Sequence, residues 1–253
     1  TSRQKRVVLA SKDVETIVAP PSTSTVVSAR DEPQTFTLGI TLAGCMGSTT
    51  GGVKRDVFLT EPQAREIFRQ ALAGLDHAHS KGVIHRDLKP SNLFLIPQTD
   101  GSVLVKLVDF GIAKITDSGS AAQNLTRTGE VFGSPLYMSP EQCSGKSLDA
   151  RSDIYSLGCL MYEALSGRRP LVGESALETM HMHIKEMPLT LSQAAPKLEV
   201  SPQLENAVMK CLCKRADDRF SSVAELYQEI YGEPLPKVPV AHSVTGTDSQ
   251  IVI

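Results

Sequence analysis

The sequence predicts a mainly α-helical fold that carries one short β-hairpin, and three observations predict it. Apolar residues Ala64, Ile67, Phe68, Ala71, Leu72, Leu75 and Ala78 recur at helical spacing. Two β-rich runs, "NLFLI" (92–96) and "VLVKLVDF" (103–110), are joined by "PQTDGS", which reads as a hairpin. Four further segments, 152–166, 175–186, 202–214 and 222–231, have helical character, and the last two follow recognisable caps.

The elements follow in order along the chain. Residues 1–59 are rich in Ser and Thr, as in "APPSTSTVVSAR" and "GCMGSTTGG", and contain only two aromatics, Phe36 and Phe58. Short runs such as "RVVLA" and "FTLGITLAG" have strand character, but the segment as a whole is expected to be poorly ordered or loosely attached. Regular structure is expected from Thr60, where "TEPQ" places a capping Thr three residues before Gln63 and Pro62 in the first turn. Lys81-Gly82 ends that helix. A glycine-dotted passage at 111–150 follows the hairpin, Ser201-Pro202 opens the third of the later helices, and "SVAE" opens the last. From Gly232 to residue 253 the chain reads as a Pro-rich linker or tail.

Composition excludes several classes. With 26 basic and 28 acidic residues the net charge is −2, so no global charge draws the chain to nucleic acid or an anionic membrane. The five cysteines (Cys45, Cys143, Cys159, Cys211, Cys213) are odd in number and lack CxxC spacing, which argues for reduced, cytoplasmic thiols rather than disulfides or zinc. Cys211 and Cys213, expected on one helix, would face apart. The same argument makes His77, His79, His181 and His183 surface or packing histidines. The longest apolar passage, "IYSLGCLMYEAL", is too short and too punctuated to span a bilayer, and "TSRQKR" is followed by no signal-peptide core.

One cluster carries chemistry. A hydroxyl that attacks phosphorus must be held in line and relieved of its proton, which a carboxylate within hydrogen-bond reach can do. Magnesium, which accompanies phosphoryl groups, takes hard oxygen ligands from one or two carboxylates or amides. In "HRDLKPSN" Asp87, Lys89 and Asn92 share one loop between helix and hairpin, and Asp109 of "VDFG" lies at the hairpin exit.

The series His-Arg-Asp-Leu-x-x-x-Asn and Asp-Phe-Gly, formed by residues 85–92 and 109–111, resembles the signature pair of protein kinases. "DLKPSN" resembles the serine/threonine branch, and "TRTGEVFGSPLYMSPEQ" the activation and substrate-docking segment, with Ser139-Pro140-Glu141 replacing the usual Ala-Pro-Glu. "DARSDIYSLGCLMYEALSGRRP" is similar to the buried central helix of the C-terminal lobe, and "ADDRF" to the late Arg element. The whole resembles bacterial kinases of the eukaryotic-like type.

This resemblance implies a protein-kinase-like C-terminal helical lobe over 60–231, using ATP and Mg2+ and acting on Ser or Thr hydroxyls of protein substrates. It implies Asp87 as catalytic base, Lys89 beside the transferred phosphoryl group, Asn92 and Asp109 as magnesium ligands, and Asn92, Asp109 and Phe94 at the nucleotide. His85 and Phe110 would set active geometry by packing, Asp153 would anchor the catalytic loop, and Glu141 and Arg219 would pair. Arg86 would receive a phosphate on the activation segment, with Thr128 or Thr126 as acceptor. Ser134 would hydrogen-bond toward Asp87 and Lys89.

The family's Gly-x-Gly-x-x-Gly loop and its ATP-anchoring Lys are not found in residues 1–60. "GCMGSTTGG" has other spacings, and Lys12 in "VVLASK" follows no glycine loop. Three expectations follow: an incomplete serine/threonine kinase catalytic domain, as the initial Thr1 also suggests; an inactive pseudokinase-like docking or scaffold module; or a rearranged product whose segment 1–59 is unrelated. A lobe without its N-terminal partner is further expected to expose apolar surface around Leu93–Leu95 and to self-associate.

Overall fold

The computed structural model describes residues 59–100, 102–110 and 135–236, together with the backbone of Phe36 and Thr37. Helix α1 (Glu61–Ser80) starts where Gln63 turns back to accept the Thr60 backbone N–H at 2.9 Å, with Pro62 in the first turn. Its apolar stripe is buried from Ala64 to Ala78, and Gly82, with φ +73, allows the chain to turn away after Lys81.

Three antiparallel strands lie in the order β1 (Phe36–Thr37), β2 (Leu93–Pro97), β3 (Val103–Leu107). Leu95 pairs with Val105 on one side and with Phe36 on the other. The expected hairpin is therefore extended by a two-residue strand from the first 59 residues. Its turn closes when Asp100 accepts both the backbone N–H and the hydroxyl of Ser102, at 3.1 and 2.6 Å. Edge strand β3 meets α1, whose Gln70 donates to Val103 O at 2.9 Å and accepts from Val105 N at 3.1 Å. One amide side chain thus supplies the ladder partners that another strand would have provided.

The expected exposure at Leu93–Leu95 is not observed. Leu93 and Leu95 are 0% and 1% exposed and join the same apolar cluster as α1, while Phe94, on the opposite face of the strand, is half-buried.

Helix α2 (Pro140–Cys143) and helix α3 (Ala150–Ser166) form the centre of the lobe. The sequence predicted α3 from residue 152, but Asp149 accepts the Arg151 N–H at 2.8 Å and starts it earlier. Every residue of α3 from Ser152 to Ser166 is buried, as expected of a helix enclosed on all sides. Helices α4 (Ala176–Lys185), α5 (Leu191–Ala194), α6 (Pro202–Cys211) and α7 (Val223–Tyr231) pack around it. Helix α6 stops at Cys211, where Leu212 closes a turn onto Met209, so Cys213 lies beyond the helix rather than on it. Helices α2 and α5 are single turns that periodicity did not predict; each is started by a box, Ser139 with Gln142 and Thr190 with Gln193.

Helix α3 crosses α6 at Gly158, where a Cβ atom would stand 2.6 Å from Cβ of Cys211. The pairing of Glu141 with Arg219 then ties α2 to the end of the lobe. Arg219 uses all five of its N–H groups, donating to Glu141 Oε1 and Oε2 at 2.7 and 2.9 Å and to the carbonyls of Cys213, Arg151 and Lys214. Burial raises the Glu141 carboxyl, but the Arg219 hydrogen bonds outweigh it and hold the group below its ordinary range.

Two stability predictions follow from these contacts. Glu141→Ala leaves a buried guanidinium without its counter-charge and is expected to cost about 3–5 kcal/mol in denaturant unfolding. Gly158→Ala is expected to cost about 1–3 kcal/mol by overpacking against Cys211, even though helix propensity favours Ala over Gly by about 1 kcal/mol.

Candidate active site

The loop from Gly82 to Asn92 is organised by a carboxylate that lies outside it. Asp153, in the first turn of α3 and 1% exposed, accepts the backbone N–H groups of His85 and Arg86 at 2.7 and 2.8 Å. The same carboxylate takes a third contact at 2.7 Å from His79 Nε2 on α1. A buried charge is tolerated when its lone pairs are filled, and here three donors fill them.

Arg86 holds a left-handed backbone, φ +66, which is uncommon for a residue with a side chain. Both of its peptide groups are fixed: its N–H by Asp153, and its carbonyl by Gln142 Nε2 at 2.7 Å. Such strain of order 1–3 kcal/mol persists only where surroundings over-determine the conformation. Its consequence is positional, because the chain reverses at Arg86 and presents Asp87 in the cleft. Asp87 Oδ2 accepts Lys89 Nζ at 2.7 Å, and Asn92 Nδ2 donates to the Asp87 carbonyl at 2.8 Å. Asn92 also reaches Asp87 Oδ2 at 3.4 Å. Among the described residues Asp87 Oδ1 accepts no hydrogen bond.

His85 joins this loop to the end of β3. Its Nε2 meets the Val108 carbonyl at 3.0 Å, so Nε2 carries the proton, and Nδ1 accepts the Asp87 N–H at 3.4 Å. Burial lowers the imidazole below its ordinary value, which favours the neutral ring this pattern requires. The His85 and Phe110 rings lie 4.5 Å apart at 38°. Val108 N in turn donates to Asn92 O at 3.1 Å. Between these anchors sits Asp109, exposed and left-handed at φ +56. Phe94 lies on β2, paired with Lys106 and Thr37 in the ladders.

The far wall of the cleft is the 3-10 turn Pro135–Tyr137. Tyr137 Oη donates to Glu163 Oε2 on α3 at 2.5 Å, Arg169 closes on the other Glu163 oxygen at 3.3 Å, and Ser156 Oγ donates to the Tyr137 carbonyl at 2.7 Å. Tyr137 and Met138 line the cleft with Asp87 and Lys89.

The structure thus gathers His85, Arg86, Asp87, Lys89, Asn92 and Asp153 into one network, with Phe110 and Asp109 at its edge and the Glu141–Arg219 pair behind it. Thr126, Thr128 and Ser134 lie outside the described residues. Sequence reasoning did not find Gln142, His79 or the Tyr137–Glu163 contact. Only Gln142 left a signal, as the last member of the Ser139-Pro140-Glu141-Gln142 box.

Comparison with known proteins agrees with this geometry. The family model of the protein kinase domain matches residues 25–231, beginning inside the first 59 residues. The serine/threonine-protein kinase pkn3 of Myxococcus xanthus is 40% identical over 178 residues, covering 70% of this chain and 32% of the relative. The serine/threonine-protein kinase PknB of Mycobacterium tuberculosis is 40% identical over 186 residues, covering 72% and 28%. The chain therefore spans less than a third of the length of these curated relatives. The crystal structure of the Mycobacterium tuberculosis PknI kinase domain superposes with a TM-score of 0.54 over 79% of this chain and 63% of that one; at 24% identity this shows the fold alone. The loop geometry and the match over residues 25–231 lead to one conclusion: the chain belongs to the protein kinase domain family, with bacterial serine/threonine protein kinases among its relatives.

Proposed function

We propose that this chain carries the phosphoacceptor half of a serine/threonine protein kinase catalytic domain, which transfers the ATP γ-phosphate to Ser or Thr hydroxyls of protein substrates. The observation that carries this is the state of Asp87: Oδ2 is engaged by Lys89 at 2.7 Å while Oδ1, which accepts no hydrogen bond among the described residues, is placed to accept one from a hydroxyl. An incoming Ser or Thr hydroxyl donates to Oδ1, is aligned by it, and yields its proton as the bond to phosphorus forms. Lys89, 27% exposed at its side chain, faces the cleft as a compact cation beside the phosphoryl path.

The family uses ATP with Mg2+. Among the described residues no cluster of three or more His, Cys, Asp or Glu could hold a metal. The donors here instead fit magnesium, which keeps water and phosphate oxygens for most of its coordination. Asn92 commits Nδ2 to the Asp87 carbonyl, leaving Oδ1 among the described residues with only the Ser91 hydroxyl at 3.3 Å, and Asp109 supplies an exposed carboxylate. We assign Asn92 and Asp109 as the magnesium ligands and place Phe94 at the nucleotide. Magnesium, when bound, neutralises charge on the β- and γ-phosphates. Arg86 is assigned to a phosphate on Thr128 or Thr126, and Ser134 to the Asp87–Lys89 pair. We assign residues 60–231 to the C-terminal lobe and 232–253 to a Pro-rich tail, while the expected separateness of residues 1–59 is not supported by strand β1, by the core residue Leu59 or by the family match from residue 25; the scattered thiols support a cytoplasmic setting. No described helix is long and apolar enough to cross a membrane.

A second reading, an inactive docking or scaffold module, is favoured by one observation: residues 1–60 contain neither the glycine-rich loop nor the ATP-anchoring Lys. Stabilising groups of that kind are each worth about 10²- to 10³-fold in rate. The chain alone is therefore expected to incorporate no label from radiolabelled ATP above an Asp87→Asn control. Labelling at Thr128 that vanishes in Asp87→Asn would show the lone chain to be active.

Fusion of residues 60–253 to the N-terminal lobe of a related kinase separates the two readings. The kinase reading predicts Ser or Thr phosphorylation that falls about 10²- to 10⁴-fold in Asp87→Asn. The scaffold reading predicts a folded chimera that binds Mg-ATP, gaining about 2.7 kcal/mol at 100 Kd, without phosphorylating any protein.

A further inference from the structure

Helix α2 is a single turn in the wall of the cleft, and one of its side chains reaches across to the loop that carries Asp87. Gln142 Nε2 donates to the Arg86 carbonyl at 2.7 Å, while Gln142 Oε1 accepts the Ser139 backbone N–H at 2.9 Å. The same side chain lines the cleft with Asp87, Lys89, Tyr137 and Met138.

The partners fix the orientation of this amide. A backbone N–H can only donate, so the atom that meets Ser139 N is the oxygen; a carbonyl can only accept, so the atom that meets Arg86 O is the nitrogen. A flipped amide would satisfy neither.

The bond to Arg86 closes a ring of contacts through three parts of the chain. On α3, Asp153 Oδ1 accepts the Arg86 N–H at 2.8 Å, and its neighbour Ser152 donates from Oγ to Glu141 Oε1 at 2.7 Å. Glu141 and Gln142 are neighbours on α2, and Gln142 returns to the Arg86 carbonyl. Each part also has an anchor outside the ring, since Glu141 pairs with Arg219 and the His85 N–H donates to Asp153 at 2.7 Å. The Gln142 bond therefore joins the loop to α2 without being what folds either.

Capping alone does not call for an amide at this position. The box with Ser139 needs an acceptor oxygen, which Glu supplies as well as Gln. What the amide adds is the donor to Arg86. Arg86 holds φ +66, a conformation that persists only where its surroundings impose it. Asp153 imposes it from the N–H side and Gln142 from the carbonyl side, and among the described residues the Arg86 carbonyl has no other donor. The peptide group fixed in this way is the one that carries the Asp87 N–H.

We propose that Gln142 is a positioning residue for Asp87: it latches the Arg86–Asp87 peptide to α2, so that Asp87 and the turn Pro135–Tyr137, which leads into α2, keep one relative placement. Gln142 acts through that peptide and touches no reacting atom. Calling Asp87 the base rests on the kinase reading; the latch does not.

The test is read in the full chain at pH 7 by amide hydrogen exchange. It needs no phosphoryl transfer, so a failed latch and a failed kinase reading give different results. Gln142→Glu keeps the acceptor for the Ser139 N–H and loses the donor to Arg86; exchange at the Asp87 amide is expected to rise about tenfold while Ser139 keeps its wild-type rate. Gln142→Met loses both bonds, and both amides are expected to exchange about tenfold faster. In each variant the His85 and Arg86 amides, held by Asp153, are expected to keep their rates. Gln203→Glu makes the same change at an exposed glutamine that donates to the Glu229 carbonyl at 2.6 Å, and is expected to leave all of these amides unchanged. Near-UV circular dichroism identifies folded variants, and if Gln142→Glu does not fold, Gln142→Met decides alone. If neither folds, Gln142 holds the fold rather than Asp87 and the proposal fails. An Asp87 amide that keeps its wild-type rate in a folded Gln142 variant, the result a purely capping role predicts for Gln142→Glu, would overturn it.

Discussion

The carboxylate of Asp153 is the contact on which the remaining geometry depends. It sits in the first turn of the buried helix α3, yet its three partners, His79, His85 and Arg86, come from α1 and from the loop that follows α1. A loop without regular structure would otherwise have to satisfy those backbone groups with water. The site is precise because a rigid helix supplies what the loop lacks. The cost of burying the charge is offset by two backbone donors and one imidazole, all within 2.8 Å.

From that anchor the strain is distributed to useful places. Arg86 and Asp109 are the two residues other than glycine with positive φ among the described residues; Arg86 precedes the carboxylate of Asp87, and Asp109 is itself a carboxylate at the edge of the network. Each is held from both sides. Arg86 is fixed between Asp153 and Gln142; Asp109 follows Val108, whose N–H and carbonyl are both committed, and precedes Phe110, stacked on His85. His85 is shared between the two anchors. Its neutral ring donates a hydrogen bond to the Val108 carbonyl and accepts one from the Asp87 amide, so the loop and the residue that follows β3 are joined through one side chain. The turn Pro135–Tyr137 is held by separate contacts, through Tyr137 to Glu163 and Ser156.

Much of this was legible in the sequence, for identifiable reasons. Helix α1 could be read because its cap, its stripe and its terminal glycine all lie within about twenty residues and agree. The loop residues Asp87, Lys89 and Asn92 could be read because their chemistry is dense and local. Strand β1 opens the run "FTLGITLAG", whose strand character was legible, but its pairing with β2 was not, since that pairing crosses more than fifty positions. That pairing, with the packing of Leu93 and Leu95 into the α1 cluster, is also why the expected apolar exposure is not found. Gln142 and His79 show the other kind of gap. Each looks ordinary in sequence, one an amide in a helical cap and the other a histidine on a helix, and each acquires its role from a partner far along the chain.

The claim that a helix-borne carboxylate sets the loop from Gly82 to Asn92 is tested most directly by hydrogen exchange at two amides. Asp153→Asn keeps the size of the side chain but replaces one acceptor oxygen with a donor, which then faces an N–H group already donating. The account predicts that the His85 and Arg86 amides, protected in the wild type, exchange at least about tenfold faster in the folded variant, while amides in the middle of α3 keep their protection. Unchanged exchange at both His85 and Arg86 in a folded Asp153→Asn chain would contradict it.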